Sequence, residues 1–193
     1  MKIQITETVL RDAQQSLMAT RMPTADFLPI LEKMDQAGYY SLECWGGATF
    51  DSCLRYLDED PWERLDLLRE KIPNIPFQML LRGSNTVGYQ NYPDNVVREF
   101  VKQSALGGID IFRVFDSLNW VPGMSIAMDE VLKQKKNGLA SVIFTFTQNP
   151  TRVLSGLSAQ NIITNEERRA MLEEEGIDCL VECPFVPELA HME

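Results

Sequence analysis

Short apolar runs alternate with amphipathic, capped segments along the whole chain. Ile3 to Leu10, Tyr39 to Trp45, Phe77 to Leu81, Ile109 to Phe115, Leu139 to Phe146 and Ile177 to Cys183 are predicted as strands. Helical patterns lie between them. Pro23-Thr24-Ala25-Asp26 opens one that runs to about Ala37, with Thr24 as N-cap, Phe27, Ile30, Leu31 and Met34 as its apolar stripe, and Gly38 as its stop. A helix containing Leu54 and Leu57 follows Gly46-Gly47, and another starts at Asp60-Pro61, where Asp60 caps and proline takes the tolerated first position. Tyr92-Pro93-Asp94 leads into a helix through Val96, Val97, Phe100, Val101 and Ala105, closed by Gly107-Gly108. Further helices cover about Val121 to Gln134 and Asn165 to Glu174.

Strands followed by helices, over and over, predict a parallel sheet with right-handed crossovers. The strands are apolar on both sides, as strands covered on two faces are. A closed eight-stranded barrel typically needs about 250 residues, and this chain has 193. The predicted fold is therefore α/β: an open, partial TIM-barrel-like parallel sheet of about six strand–helix units.

In such sheets the carboxyl ends of the strands carry the chemistry. Four ends are polar here: Arg11, Asp12 and Gln15 after the first strand; Gly46, Gly47 and Asp51 after the second; Arg82, Asn85 and Tyr89 after the third; Asp116 and Asn119 after the fourth. An arginine fork suits a carboxylate, an aspartate offers hard oxygens to a divalent metal, and a glutamine can orient a carbonyl. Local roles compete with this reading. Arg82 before Gly83 also suits a turn, Asp116-Ser117 also suits a helix cap, and Gly46-Gly47 lacks the spacing of a phosphate-binding loop.

Charge narrows the partners. A formal net charge of -10 argues against a nucleic-acid partner. No segment has the form of a signal peptide or reaches the roughly 20 apolar residues of a membrane span, so a cytoplasmic location is expected. Cys44, Cys53, Cys179 and Cys183 form no CxxC pair, and for Cys179 and Cys183, four apart, buried, reduced thiols rather than a metal pair are the expectation.

The strand-end residues sit in longer motifs. Thr8 to Met22, Glu43-Cys44-Trp45-Gly46-Gly47-Ala48-Thr49-Phe50-Asp51, Leu80 to Tyr89 and Phe112 to Asn119 resemble the carboxyltransferase domain of biotin-dependent enzymes. That family contains pyruvate carboxylase, the oxaloacetate decarboxylase α subunit and the transcarboxylase 5S subunit, and the resemblance covers residues 1 to about 134. It implies a TIM barrel that moves a carboxyl group between biotin, carried on a partner domain, and pyruvate or oxaloacetate. It also implies Asp12 as a metal ligand, Arg11, Gln15 and Arg82 facing the keto acid, and Tyr89 close by. The family's two metal-binding histidines, in an HxHD-type motif, and its lysine, in an IKDMAG-like stretch, have no counterpart here. The single histidine, His191, reads as a tail residue.

From about residue 132 a different resemblance begins. Val142 to Phe146, Asn149 to Leu154, Ile162 to Glu167, Leu172 to Asp178 and Pro184-Phe185 resemble the FMN adenylyltransferase part of riboflavin kinase/FAD synthetase. That family's HxGH-type and SSTxIR-like phosphate motifs are absent, so adenylyl transfer is not expected; Thr145, Asn149 and Pro150 read as a fragment of a flavin-side loop or as plain strand and loop. The expected organisation is residues 1–134 from a carboxyltransferase barrel and residues 135–193 from an unrelated α/β domain, joined in a helix near Val131 to Lys136. The expected function is that of a carboxyltransferase-type fragment with an incomplete divalent-metal site. The alternatives are an inactive hybrid, open to self-association at its last strand, or a module binding a keto acid or a flavin.

Overall fold

Six parallel strands pair in sequence order, β1 to β6, in a single sheet of a computed structural model that describes residues 4–117, 120–134, 140–148, 163–184 and 186. Asn119, Asn149, Pro150 and His191 lie outside the described residues. The strands are β1 (Thr6–Glu7), β2 (Ser41–Gly46), β3 (Phe77–Leu81), β4 (Ile109–Val114), β5 (Ala140–Phe146) and β6 (Cys179–Cys183). Between them run α1 (Gln14–Met18), α2 (Thr24–Asp35), α3 (Gly47–Ser52), α4 (Pro61–Lys71), α5 (Asp94–Leu106), α6 (Val121–Gln134) and α7 (Asn165–Glu174). Sequential order, with no strand beyond β1 or β6 among the described residues, is the arrangement of a barrel that has not closed. The expected α/β class and partial barrel are what the chain forms.

Three local readings change. The first strand keeps only two residues, because Val9–Ala13 winds into a π-helical turn whose amides at Thr8 and Val9 are taken by Glu7 Oε1 at 2.8 and 2.9 Å. Thr24 does not cap α2; it is the first helical residue, and its hydroxyl donates to Glu59 Oε2 at 2.7 Å. Cys53–Leu57 is likewise a π-helical turn following the short α3. Asp60 does cap α4, accepting from the Trp62 amide at 2.8 Å.

One face of the sheet and the inner faces of the helices make a continuous core. Leu31, Leu42, Leu65, Phe77, Met79, Leu81, Phe112 and Met128 are fully buried in it, and Ile143 of β5 and Leu172 of α7 join the same cluster. At the amino ends of the strands Arg69 acts as a clasp. It stacks on Phe77 with its carbon 3.6 Å from the ring centre and donates to Gly108 O (2.5 Å) and Asp110 Oδ2 (2.7 Å). Asp110 in turn accepts the Phe77 amide at 2.8 Å, so one arginine fixes the register of β3 against β4.

The C-terminal elements are well specified locally. Thr164 and Glu167 form a reciprocal capping box at the start of α7, and Arg169 pairs with Glu182 of β6 at 2.7 Å. We expect Thr164→Ala to cost about 1 kcal/mol. Urea unfolding that shows this loss in the single transition of the whole sheet would confirm that α7 folds with it; an unchanged midpoint would separate the two.

The cysteines split in pairs. Cys44 and Cys53 are buried and free. Burial pushes the Cys53 thiol up to about 11 and the Cys44 thiol further, so neither is a nucleophile near neutrality. Cys179 is exposed and Cys183 half-buried, contrary to expectation, because β6 is an edge strand whose concave side nothing covers among the described residues.

Candidate functional site

The opposite, concave face of the sheet carries charge. Glu43 sits in the middle of β2, and its register partner is Gln78 of β3; Arg113 lies two residues beyond Ile111, the partner of Gln78 on β4. All three side chains therefore share one face. Glu43 has a side chain only 1% exposed and accepts from both neighbours. Gln78 Nε2 donates to Oε2 at 2.5 Å, and Arg113 donates side-on, Nε to Oε2 at 2.8 Å and one terminal nitrogen to Oε1 at 3.0 Å. The fourth donor is Nε of Arg11, which reaches Glu43 Oε1 from the π-helical turn after β1.

Arg11 is nearly buried, and its remaining nitrogens lie toward exposed neighbours: one donates to Gln15 Oε1 at 3.3 Å, the other pairs with Asp12 Oδ1 at 3.1 Å. Gln14, next to Gln15, is buried instead and holds the turn by donating to Leu10 O at 2.6 Å. Burial alone would raise the Glu43 carboxyl, but the Arg113 hydrogen bond and charge, the Arg11 charge and the Gln78 hydrogen bond together hold it below its ordinary value. Glu43 is an anion at neutral pH, with two guanidiniums turned on it.

Arg82 and Tyr89 form a second group. Arg82 lies over the Tyr89 ring, 5.0 Å from its centre, and donates to Gly88 O at 3.2 Å. Their loop is tied to α6 by Ser84, whose hydroxyl donates to Gly123 O at 2.6 Å. Tyr89 is exposed and separates two open clefts: about 360 Å³ lined by Arg82, Asn85, Phe115, Asp116 and Ser117, and about 430 Å³ bordered by Asp51, Leu54, Arg55 and Tyr92. Asp51 there accepts from Arg55 Nε at 2.6 Å, and Asp116 accepts from the Trp120 amide at 3.0 Å.

Gly46 and Gly47 stand between the groups, and they serve close approach. A Cβ at Gly46 would lie 3.2 Å from Arg11 Cδ, and one at Gly47 would lie 2.8 Å from Val87 O. The turn lets the stem of Arg11 press on one side and the Val87–Tyr89 loop on the other. The structure thus gathers Asp12 and Gln15 around Arg11, which Glu43 holds, and places Arg82 and Tyr89 as a separate pair across the glycines.

Among the described residues no three His, Cys, Asp or Glu side chains stand together as a metal-binding group. Asp12 has an arginine for its close partner and belongs to no such group among the described residues. This donor set does not fit a resident divalent cation. No helix among the described residues is long and apolar enough to cross a membrane.

Glu43 and Arg113 are the residues that strand-end reasoning missed. Their signal was present: a carboxylate and a guanidinium inside otherwise apolar strands must be paired to be there at all.

Comparison with known proteins assigns the class first. The chain is 54% identical over 145 residues to a pyruvate carboxylase subunit of Methanocaldococcus jannaschii, covering 75% of this chain and 26% of that protein. It is 50% identical over 155 residues to the methylmalonyl-CoA carboxyltransferase 5S subunit of Propionibacterium freudenreichii, covering 80% of this chain and 30% of that one. The structure superposes on the carboxyl transferase domain of Rhizobium etli pyruvate carboxylase, solved with oxamate and biotin, at a TM-score of 0.81 and 45% identity over 94% of this chain and 30% of that one. The chain thus spans only about a quarter to a third of the length of these three relatives. Residues 125–193 also match the FAD synthetase family. The greater part of the chain is therefore homologous to part of the carboxyltransferase domain of biotin-dependent enzymes, and its end carries a tract resembling FAD synthetase. A match of 155 residues cannot fit ahead of residue 125, so the two similarities overlap through α6.

Proposed function

We propose that this chain supplies one wall of a carboxyltransferase-type site for pyruvate or oxaloacetate and is incomplete as a catalyst. The observation that carries the reading is Arg11, held by the buried Glu43–Arg113 layer, with Gln15 and Asp12 beside its outward nitrogens. Glu43 and the exposed Asp12 together balance the two guanidiniums, so a keto-acid carboxylate would take the place of Asp12 at the Arg11 tip. Arg82, with Tyr89, stands across the glycine turn as the second cationic group. When a carboxyl group leaves oxaloacetate its bonding electrons pass to an enolate oxygen, and preorganised cationic donors favour that charge.

A divalent metal would add Lewis acidity in such a site, but the side chains gathered here do not make its cage, and Asp12 is one ligand of a set the chain does not encode. Biotin would come as carboxyl carrier on a partner domain. We place the protein in the cytoplasm and divide it at residues 134 and 135, with the second tract serving as strands and helix rather than as a flavin site. Self-association would use the open edge at β6.

Ligand-detected NMR at low ionic strength tests this reading. The protein should bind pyruvate, and Arg82→Met should weaken binding by about tenfold, the scale of one charge-assisted hydrogen bond. Oxaloacetate should decarboxylate no faster with the protein than without it, whether or not magnesium or manganese is added. An acceleration lost in Asp12→Ala would overturn the incompleteness, and absence of any pyruvate binding would overturn the site. Heat on adding FMN would favour the flavin reading instead.

A further inference from the structure

We propose that Glu43 is a positioning residue: it holds Arg11 by Nε so that both terminal nitrogens of that guanidinium remain turned to the ligand side. The inference rests on the keto-acid reading above and deepens it. Glu43 gathers donors from three separate elements, the turn after β1, β3 and β4, and is 1% exposed. Stability is a weak reason for such an arrangement, because apolar side chains of similar volume would fill the space with no charge to desolvate.

The pattern of bonds says more. Arg113 takes Glu43 side-on with two nitrogens, which locks the carboxylate plane. Gln78 adds a further donor, to Oε2, and makes no hydrogen bond to Arg11. Only Oε1 reaches Arg11, and it reaches Nε, the one nitrogen that an end-on grip on a ligand carboxylate leaves unused. The tip nitrogens lie beside Gln15, at 3.3 Å, and Asp12, at 3.1 Å, both of which are exposed. Gly46 completes the device, since its missing Cβ lets the Arg11 stem lie 3.2 Å from where that atom would be. Arg11 is thus oriented before any ligand arrives, and its conformational freedom is already spent.

Arginine-selective ¹⁵N NMR with pyruvate titration, on the whole chain, tests the assignment. In the wild type the Arg11 Nε–H should give a downfield, slowly exchanging signal. In Glu43→Gln this signal should move upfield and exchange quickly, and pyruvate affinity should fall about tenfold at a temperature where circular dichroism shows the variant folded. Gln78→Leu removes a partner of Glu43 that makes no hydrogen bond to Arg11; it should lower the melting temperature yet leave pyruvate affinity within twofold. Glu43→Asp, which keeps the charge and withdraws it by one methylene, should give an intermediate loss of about threefold, and it decides by the same two readouts if Glu43→Gln does not fold. Unchanged affinity in a folded Glu43 variant would overturn the positioning role alone. A wild type with an intact Arg11 signal and no pyruvate binding would overturn the keto-acid reading, and this role with it.

Discussion

Replacing Glu43 by alanine should lower the unfolding free energy by about 3–5 kcal/mol, the usual cost of removing one partner from a buried ion pair. Two guanidiniums would be left facing each other, Arg11 with a side chain 7% exposed and Arg113 with one 24% exposed. For a domain of this size the corresponding fall in melting temperature is roughly 10 °C. The loss should depend on pH. The Glu43 carboxyl in the folded protein lies below its ordinary value of 4.5, so its contribution is fully present above that value and disappears as pH falls through the folded one. Urea unfolding of wild type and variant at pH 7 should therefore show a large gap that narrows in acid. A gap that does not change between neutral pH and pH values well under 4.5 would show that lost packing, not charge pairing, explains the effect.

Gly47→Ala should cost about 1–3 kcal/mol, the range for forcing extra volume into a packed region, and it should disable the Arg82–Tyr89 pair. The new Cβ would lie 2.8, 3.0 and 3.1 Å from Val87 O, Cα and C, all backbone atoms that cannot rotate away. The loop must retreat, and Gly88 and Tyr89 go with it, loosening the grip of Arg82 on Gly88 O. Gly46→Ala is the informative contrast. Its Cβ would meet Arg11 Cδ at 3.2 Å and Leu80 O at 3.3 Å, so it presses on the Arg11 stem and β3 and leaves the Val87–Tyr89 loop in place. Pyruvate binding should therefore lose its sensitivity to Arg82→Met in the Gly47 variant and keep it in the Gly46 variant. Equal sensitivity in both would sink the claim that Gly47 seats that loop.

Elements whose signals are local were legible from the chain. The cap at Asp60-Pro61, the helix Asn165–Glu174 and the strand Phe77–Leu81 all need only neighbours within a few residues. The first strand was misjudged because Glu7 takes its own following amides, a competition that apolar content does not reveal. The candidate site was half legible. Arg11, Asp12, Gln15, Arg82 and Tyr89 stand out at strand ends, but their grouping does not. Glu43 finds its partners 32, 35 and 70 residues away, and no local pattern records such distances.

The sequence by itself determined the alternation of strand and helix, the polar strand ends and the family motifs that they belong to. It also showed that the chain resembles two families, one after the other. Only the tertiary structure decided that β5 and β6, within the tract resembling FAD synthetase, take the fifth and sixth places of the same parallel sheet. The physical reason is that a parallel strand–helix unit presents a generic apolar face, which packs on any neighbour of the right period. A charged concave layer is not generic, since each donor must meet its acceptor in space, and folding alone brings Arg11, Gln78 and Arg113 onto Glu43.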